Sequence, residues 1–307
     1  MTQLNASIDL QGDRTRRRRE RVVQRVFLGA AVFSILISVS IVGSLVGEAW
    51  NFVSQVEFAS LWEIGWFPRR DIYDIPTIVI ATLVIAGVAM IVAAPLGLGA
   101  AVYLSEYANP RIRRILKPII EVLAGIPSVV LGYFALTFIG PQIIQTFFNT
   151  PSPFSMAAAG IGVGIVTIPL VASVSEDSMR AVPDTLREAS YGLGANKSVT
   201  VRRVVFPAAI SGIVASLILG VSRAIGETMV VFMAAGAVGG ALREWSPLET
   251  GQTMTAAIAS LATGTDQVAG AGLAFQSLFF VGVLLFLMTL SLNVLSERFV
   301  RRVREKY

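Results

Sequence analysis

The chain has 307 residues, 54% of them hydrophobic and only 15% charged, with a net charge of +5. Soluble chains of this size carry about a quarter charged residues, so the deficit points to long apolar stretches held in a membrane. Cysteine and histidine are both absent, which excludes disulfides, thiolate zinc sites, a thiol nucleophile and the commonest general base and metal ligand. The basic residues sit in short blocks beside apolar runs, a topology pattern rather than a nucleic-acid-binding surface.

A bilayer core of about 30 Å needs roughly 20 apolar residues as helix. Six segments reach that length: 26–47, 76–104, 119–147, 156–175, 208–236 and 272–296. Ahead of the first stand Arg14, Arg16, Arg17, Arg18, Arg19, Arg21 and Arg25. A twin-arginine export signal would also contain Arg16–Arg19, but five further spans follow and no clear small-residue cleavage site does, so an uncleaved first helix is expected. Arg14–Arg19 is expected to anchor topology and touch anionic lipid. In the external connection 48–75, Trp50, Trp62 and Trp66 cluster as interfacial aromatics do.

The second and third spans are joined by a basic loop with Arg111, Arg113, Arg114 and Lys117. Pro95, Pro127 and Pro169 fall within the second, third and fourth spans and predict kinks, tolerable in lipid where neighbours satisfy the freed carbonyl. Gly160 and Gly164 form a small-xxx-small pair, and small residues recur over 234–240; both allow close helix approach. Plain bundle packing accounts for each of these residues, and together they also suit a bundle that rocks between two states. The next external connection is 148–155.

The loop after the fourth span carries the most information. Pro183 and Asp184 open a short helix. Leu186, Ala189, Ser190 and Leu193 recur at i, i+3, i+4 and i+7 as one apolar stripe, and Gly194 suits a left-handed stop. A second short basic helix, about 197–205, leads to Pro207. The stripe needs a cover, either the chain's own helix ends or the groove of another protein.

Glu188-Ala189-Ser190, three residues, Gly194, nine residues, then Val204-x-Phe206-Pro207 resembles the EAA loop of ABC importer permeases, whose pattern ends in I-x-L-P. Ser190, Val204 and Phe206 are conservative departures and the spacing matches throughout. The resemblance implies that this loop is the coupling helix seated in a cleft of an ATPase subunit, with Glu188, Ala189 and Gly194 at the interface. Gly192–Ser198 ends like a phosphate-binding loop but has Asn196 where glycine must precede the lysine. ATP binding is therefore expected in a separate ATPase polypeptide, with no cofactor and no enzymatic activity in this chain.

Arg223 and Glu227 lie inside the fifth span, where an ionised side chain costs about 2.5–3.5 kcal/mol on insertion scales. Four residues apart, they are expected to share a helix face and pair. One reading is a structural salt bridge, which desolvation makes weak evidence for stability. The other is a pathway in which Arg223 binds an oxyanion through parallel hydrogen bonds and Glu227 neutralises it when the path is empty. In the last external connection, 237–271, the apolar stretch Thr253 to Ala262 is too short to span and is expected as a helix on the outer surface.

Of the 25 basic residues, 21 fall on one side, including Arg180, Arg187, Lys197, Arg202 and Arg203 of the loop and Arg298, Arg301, Arg302, Arg304 and Lys306 of the tail. Both termini are therefore expected to be cytoplasmic.

Pro95 to Ala108, Leu123 to Val130 and Arg223 to Val231 are similar to phosphate-specific transport (Pst) permeases, the last stretch to their PstC branch. The likeness runs from about residue 20 to the C-terminus. It implies an all-α integral membrane protein with six transmembrane helices and the type I ABC importer permease (MetI-like) fold. The implied organisation is a basic tail 1–25, a first helix 26–47, an external segment 48–75, a five-helix core 76–296 containing the loop 176–207, and a tail 297–307. Implied partners are a PstA-like permease, a PstB-like ATPase dimer, a PstS-like binding protein, phosphate and the lipid membrane, with no nucleic acid and no metal. A permease for sulfate or molybdate, a secondary transporter or channel, and a membrane scaffold are the alternatives; the loop spacing argues against the second and the buried charges against the third.

Overall fold

The computed structural model describes residues 14–236, 240–263 and 272–303. The first helix, α1 (Arg14–Gln55), has 42 residues. At 1.5 Å per residue it is about 63 Å long and extends past both ends of the expected span, taking the arginine-rich segment into the helix. It leans on the last helix, α11 (Gly272–Val303), and its apolar side chains, Phe27, Phe33 and Leu36 among them, are exposed.

Four further long helices build the body: α2 (Ile75–Tyr107), α4 (Ser128–Phe148), α5 (Met156–Arg180) and α8 (Ile210–Gly226). The tightest seam runs between α2 and α5, where Gly160 and Gly164 do what their spacing predicts. A Cβ on Gly160 would lie 2.6 Å from the Val88 Cβ, and one on Gly164 would lie 2.9 Å from the Ala89 carbonyl oxygen. Ala86 and Ala89 on α2 share a buried cluster with Ala158, Val163 and Val166 on α5. Buried Ser175 and Ser216 exchange a hydroxyl hydrogen bond of 2.6 Å that ties α5 to α8.

Two expected spans are divided. The segment 119–147 is two helices, because the chain leaves α3 (Pro110–Ala124) at Gly125 and restarts α4 after Pro127. Proline has no N–H to extend the helix and pushes the residue before it out of helical geometry. Residues 119–124 thus belong to a basic amphipathic helix ahead of the span. The segment 208–236 is likewise broken. α8 stops at Gly226, Glu227 is extended (φ −70°, ψ 129°), and α9 (Met229–Ala234) resumes after Thr228. At its other end α8 meets α7 (Lys197–Ala208) at a 70° bend; among the described residues five helices are long and apolar enough to cross by themselves, and six spans result when the bent pair is taken as one.

The helix expected on the outer surface, α10 (Met254–Thr263), is instead buried. Its own N-terminal turn draws it in: the Met254 N–H donates to Thr82 Oγ1 of α2 (3.1 Å), and Thr255 Oγ1 donates to the Glu227 carbonyl (2.8 Å). The second bond satisfies a carbonyl that the break in the fifth span frees, which lipid cannot do.

On the same side, β1 (Trp66–Phe67) and β2 (Ile72–Tyr73) form a hairpin bridged to Ala241. Trp66 is 1% exposed and packs edge-on against Tyr73, so it is a core residue; Trp50 and Trp62 are exposed as interfacial aromatics should be. Fully buried Asp74 takes hydrogen bonds from Gly65 N (3.2 Å), Thr77 Oγ1 and Arg243 Nε (3.0 Å), clamping the loop before α10 onto the start of α2.

Gly160→Leu is expected to destabilise the purified protein by about 1–3 kcal/mol, the usual cost of overpacking, read as a lower thermal midpoint in detergent. A Gly87→Leu control, at a position where a Cβ meets nothing within 4 Å, should leave the midpoint nearly unchanged.

Candidate functional site

Two features stand out, one beside the loop after α5 and one within the helices. The loop helix α6 (Asp184–Gly192) follows Pro183, whose fixed φ of −58° sets its start. Arg187 holds it in place. Its Nη1 donates to the Val182 carbonyl (2.6 Å) and Asp184 (3.1 Å), and its Nη2 to the Met179 carbonyl (2.9 Å) and Glu106 (3.0 Å). Burial works to lower the pKa of this guanidinium, but hydrogen bonds and charge from Glu106 and Asp184 outweigh it and hold the pKa above the ordinary value.

The helix ends in a Schellman motif. Gly194 is left-handed (φ +81°), its N–H donates to the Tyr191 carbonyl (2.9 Å), and Ala195 N–H donates to the Ser190 carbonyl (3.1 Å). The expected apolar stripe is split between two surroundings. Leu186 packs against the core formed by Ala101, Met179 and Val205, and Ser190 bonds Thr200 across to α7 at 2.8 Å. Ala189 and Leu193 face outward with Glu188 and Tyr191, and Leu193 is 90% exposed. The chain's own helices therefore cover half of the stripe and leave the other half exposed.

Arg223 lies near the end of α8, about 20 Å along the helix from Ile210 at 1.5 Å per residue. It opens into a cavity of about 270 Å³, walled by Val166, Pro169, Leu170 and Ser173 of α5 and by Glu121 and Ala124 of α3. The four α5 residues recur at i, i+3, i+4 and i+7, one face of that helix. The expected pairing with Glu227 does not form. The break at Glu227 removes it from the face of Arg223, and its carbonyl is engaged by Thr255. Among the described residues Arg223 has no ion-pair or hydrogen-bond partner, and neither has Glu121. What the arrangement offers is an unpaired, exposed guanidinium facing a small, open and otherwise mostly apolar groove along α5, a geometry that can take a transient anion.

Residues 93–305 match the family described as binding-protein-dependent transport system inner membrane component. The chain belongs to that family. Among curated relatives, it is 31% identical over 294 residues to the phosphate transport system permease protein PstC of Pasteurella multocida, covering 90% of each chain. Two solved structures share the fold of this inner-membrane component. A bacterial alginate ABC transporter complex aligns over 94% of this chain and 97% of its own, with a TM-score of 0.68 and 13% identity. The MetNI methionine ABC transporter aligns over 73% and 94%, with a TM-score of 0.57 and 21% identity. The all-α type I ABC importer permease fold expected from the sequence is the fold of this chain.

Sequence reasoning missed Glu121, because the third span was taken to run through it. The available signal was the recurrence of Arg113, Arg114, Lys117 and Glu121 along one face of 110–124, which marks an amphipathic helix ahead of Pro127. It also missed Glu176, fully buried in α5, which receives Arg113 Nε at 2.7 Å and has Lys117 Nζ 3.4 Å from its second oxygen.

Gly194→Ala is expected to weaken the Schellman stop by about 1–2 kcal/mol, the cost of a left-handed Cβ; a Cβ there meets nothing within 4 Å, so no clash contributes. Hydrogen exchange over residues 190–196 should speed up by roughly tenfold with the thermal midpoint nearly unmoved.

Proposed function

We propose that this chain is the transmembrane permease subunit of an ATP-driven importer of inorganic phosphate, forming half of the translocation pathway. The observation that carries the proposal is Arg223, an unpaired guanidinium open to a cavity between the helices, in a chain 31% identical to a PstC permease over nine-tenths of its length. A guanidinium stays charged at any relevant pH and matches a tetrahedral oxyanion with two parallel hydrogen bonds. Within the cavity lining, Ser173 adds one hydroxyl and α5 supplies an apolar wall.

The second half of the pathway comes from a PstA-like permease, and a PstS-like protein delivers phosphate from outside. A PstB-like ATPase dimer binds ATP and grips the open side of α6 through Glu188, Ala189, Leu193 and the Gly194 turn. Asn196 supports the assignment of ATP to the partner: its side chain accepts the Val199 N–H at 3.0 Å as a helix cap, and it stands where a phosphate-binding loop requires glycine. The arginines at the start of α1 and at the end of α11 support a cytoplasmic location for both termini by the positive-inside rule. Glu227 acts on the pathway through the shape of the break, with its carboxylate free of any ion pair among the described residues.

Reconstituted with its three partners, the complex should hydrolyse ATP faster when phosphate-loaded binding protein is present. Arg223→Gln should lower phosphate uptake by about 10- to 100-fold, the value of a hydrogen bond to a charged group, with basal ATP hydrolysis retained; normal uptake in that variant would sink the proposal. Leu193→Asp should abolish co-purification of the ATPase. Because Leu193 is 90% exposed, it should shift the permease's own stability by no more than about 0.5 kcal/mol.

A further inference from the structure

The 270 Å³ cavity that holds Arg223 places a carboxylate, Glu121, in the same lining. Glu121 also lines a second cavity of about 950 Å³, together with Arg113, Arg114, Lys117, Arg180 and Lys197, beside α6. It therefore borders both spaces. The lining of the larger cavity has six cations against three carboxylates, so the surface on the far side of Glu121 is net positive. Some of that charge is spoken for: Arg113 and Lys117 are held by Glu176 and Asp177. Arg114 and Arg180 have no partner among the described residues. At about 30 Å³ per water, the smaller cavity has the space of roughly nine waters, enough for a tetrahedral oxyanion and part of its hydration shell.

Arg223 alone attracts any oxyanion, phosphate and sulfate alike. The carboxylate across the cavity tells them apart. An ionised carboxylate only accepts hydrogen bonds. Phosphate at neutral pH carries at least one proton and can donate a P–O–H hydrogen bond to Glu121 while its other oxygens take the guanidinium. Sulfate carries none, so it sets acceptor against acceptor and like charge against like charge. We propose that Glu121 is a specificity-determining residue of the permease, admitting beside Arg223 an oxyanion that can donate a hydrogen bond and turning away one that cannot. This rests on the reading of the chain as half of a phosphate pathway. It places a selective step in the membrane, after whatever selection the external binding protein makes.

The test is equilibrium binding of labelled inorganic phosphate to the assembled permease–ATPase complex in lipid nanodiscs, without binding protein, with unlabelled sulfate as competitor. Glu121→Gln, whose amide can donate to sulfate, should raise sulfate affinity relative to phosphate by about tenfold or more, the value of one hydrogen bond made or lost. Glu121→Asp keeps the carboxylate and should keep the wild-type preference. Glu121→Ala reads the same ratio should the glutamine chain fail to assemble. A purely structural role would lower both affinities together, so an unchanged phosphate-to-sulfate ratio overturns the inference, as does a loss of preference in the aspartate variant equal to that in the glutamine variant. The two levels fail separately: an unaltered complex that binds no phosphate overturns the transport reading along with this one, whereas normal binding with an unmoved ratio overturns this one alone.

Discussion

Inside a bilayer no water is available to satisfy a broken helix, so any carbonyl freed by a break must find a protein donor. The fifth crossing of this chain is broken at Glu227, and the donor is Thr255 of a short helix drawn into the bundle for its whole buried face. Much of the pathway follows from that requirement. With the helix ended at Gly226, Arg223 sits in the last turn of α8, where a cation is favoured by the helix dipole. With Glu227 swung into extended backbone, the nearest sequence partner is withdrawn and the guanidinium is left open to the cavity. A continuous helix would have brought the two charges onto one face and closed a salt bridge.

The second organising element is α5, which touches both features of the chain. Its small N-terminal half seats α2 through Gly160 and Gly164. One face of its middle, from Val166 to Ser173, walls the cavity of Arg223. Its C-terminal end holds α3 through Glu176 and holds α6 through the Met179 carbonyl on Arg187. Met179 lies about 15 Å along the helix from Pro169 at 1.5 Å per residue. A displacement of α6 is therefore carried into α5 by hydrogen bonds to backbone, not by loose loop contacts. The exposed loop helix α6 and the cavity wall are thus joined through one rod, and Ser175 fixes α8 to it as well.

What the sequence revealed, and what it concealed, follows from the range of the forces involved. Gly194 was legible because a left-handed stop after a short stripe is decided by the residues next to it. Gly160 and Gly164 were legible because their spacing alone sets a small face. The break after Gly226 was not: Gly226, Glu227 and Thr228 form no strong stop by themselves, and the partner that makes the break tolerable, Thr255, lies 28 residues away. The burial of Trp66 and of α10 had the same cause, since both depend on contacts with α2 that no local pattern encodes. At Pro127 the local signal is present but also fits a kink inside one span, and merging the two helices hides Glu121 within the expected span 119–147. Ser190, which departs from the family pattern, turned out to have its own reason: its hydroxyl bonds Thr200 and locks α6 to α7.

The sparseness of the cavity bears on how a permease must work. Among its lining residues only Arg223 and Ser173 present side-chain donors, and the rest of the wall is aliphatic or acidic. A tight oxyanion site would gather many donors around the ligand, and each charged hydrogen bond would add about 1.5–3 kcal/mol. Such a site would hold the anion and stall the cycle, because conduction requires binding favourable enough to enter and weak enough to leave. On the proposed reading, one guanidinium, offset by a facing carboxylate and left without a network of its own, provides a brief stop. Leaving Arg223 without an ion-pair partner among the described residues keeps its guanidinium open to the groove, as the proposed transient anion site requires.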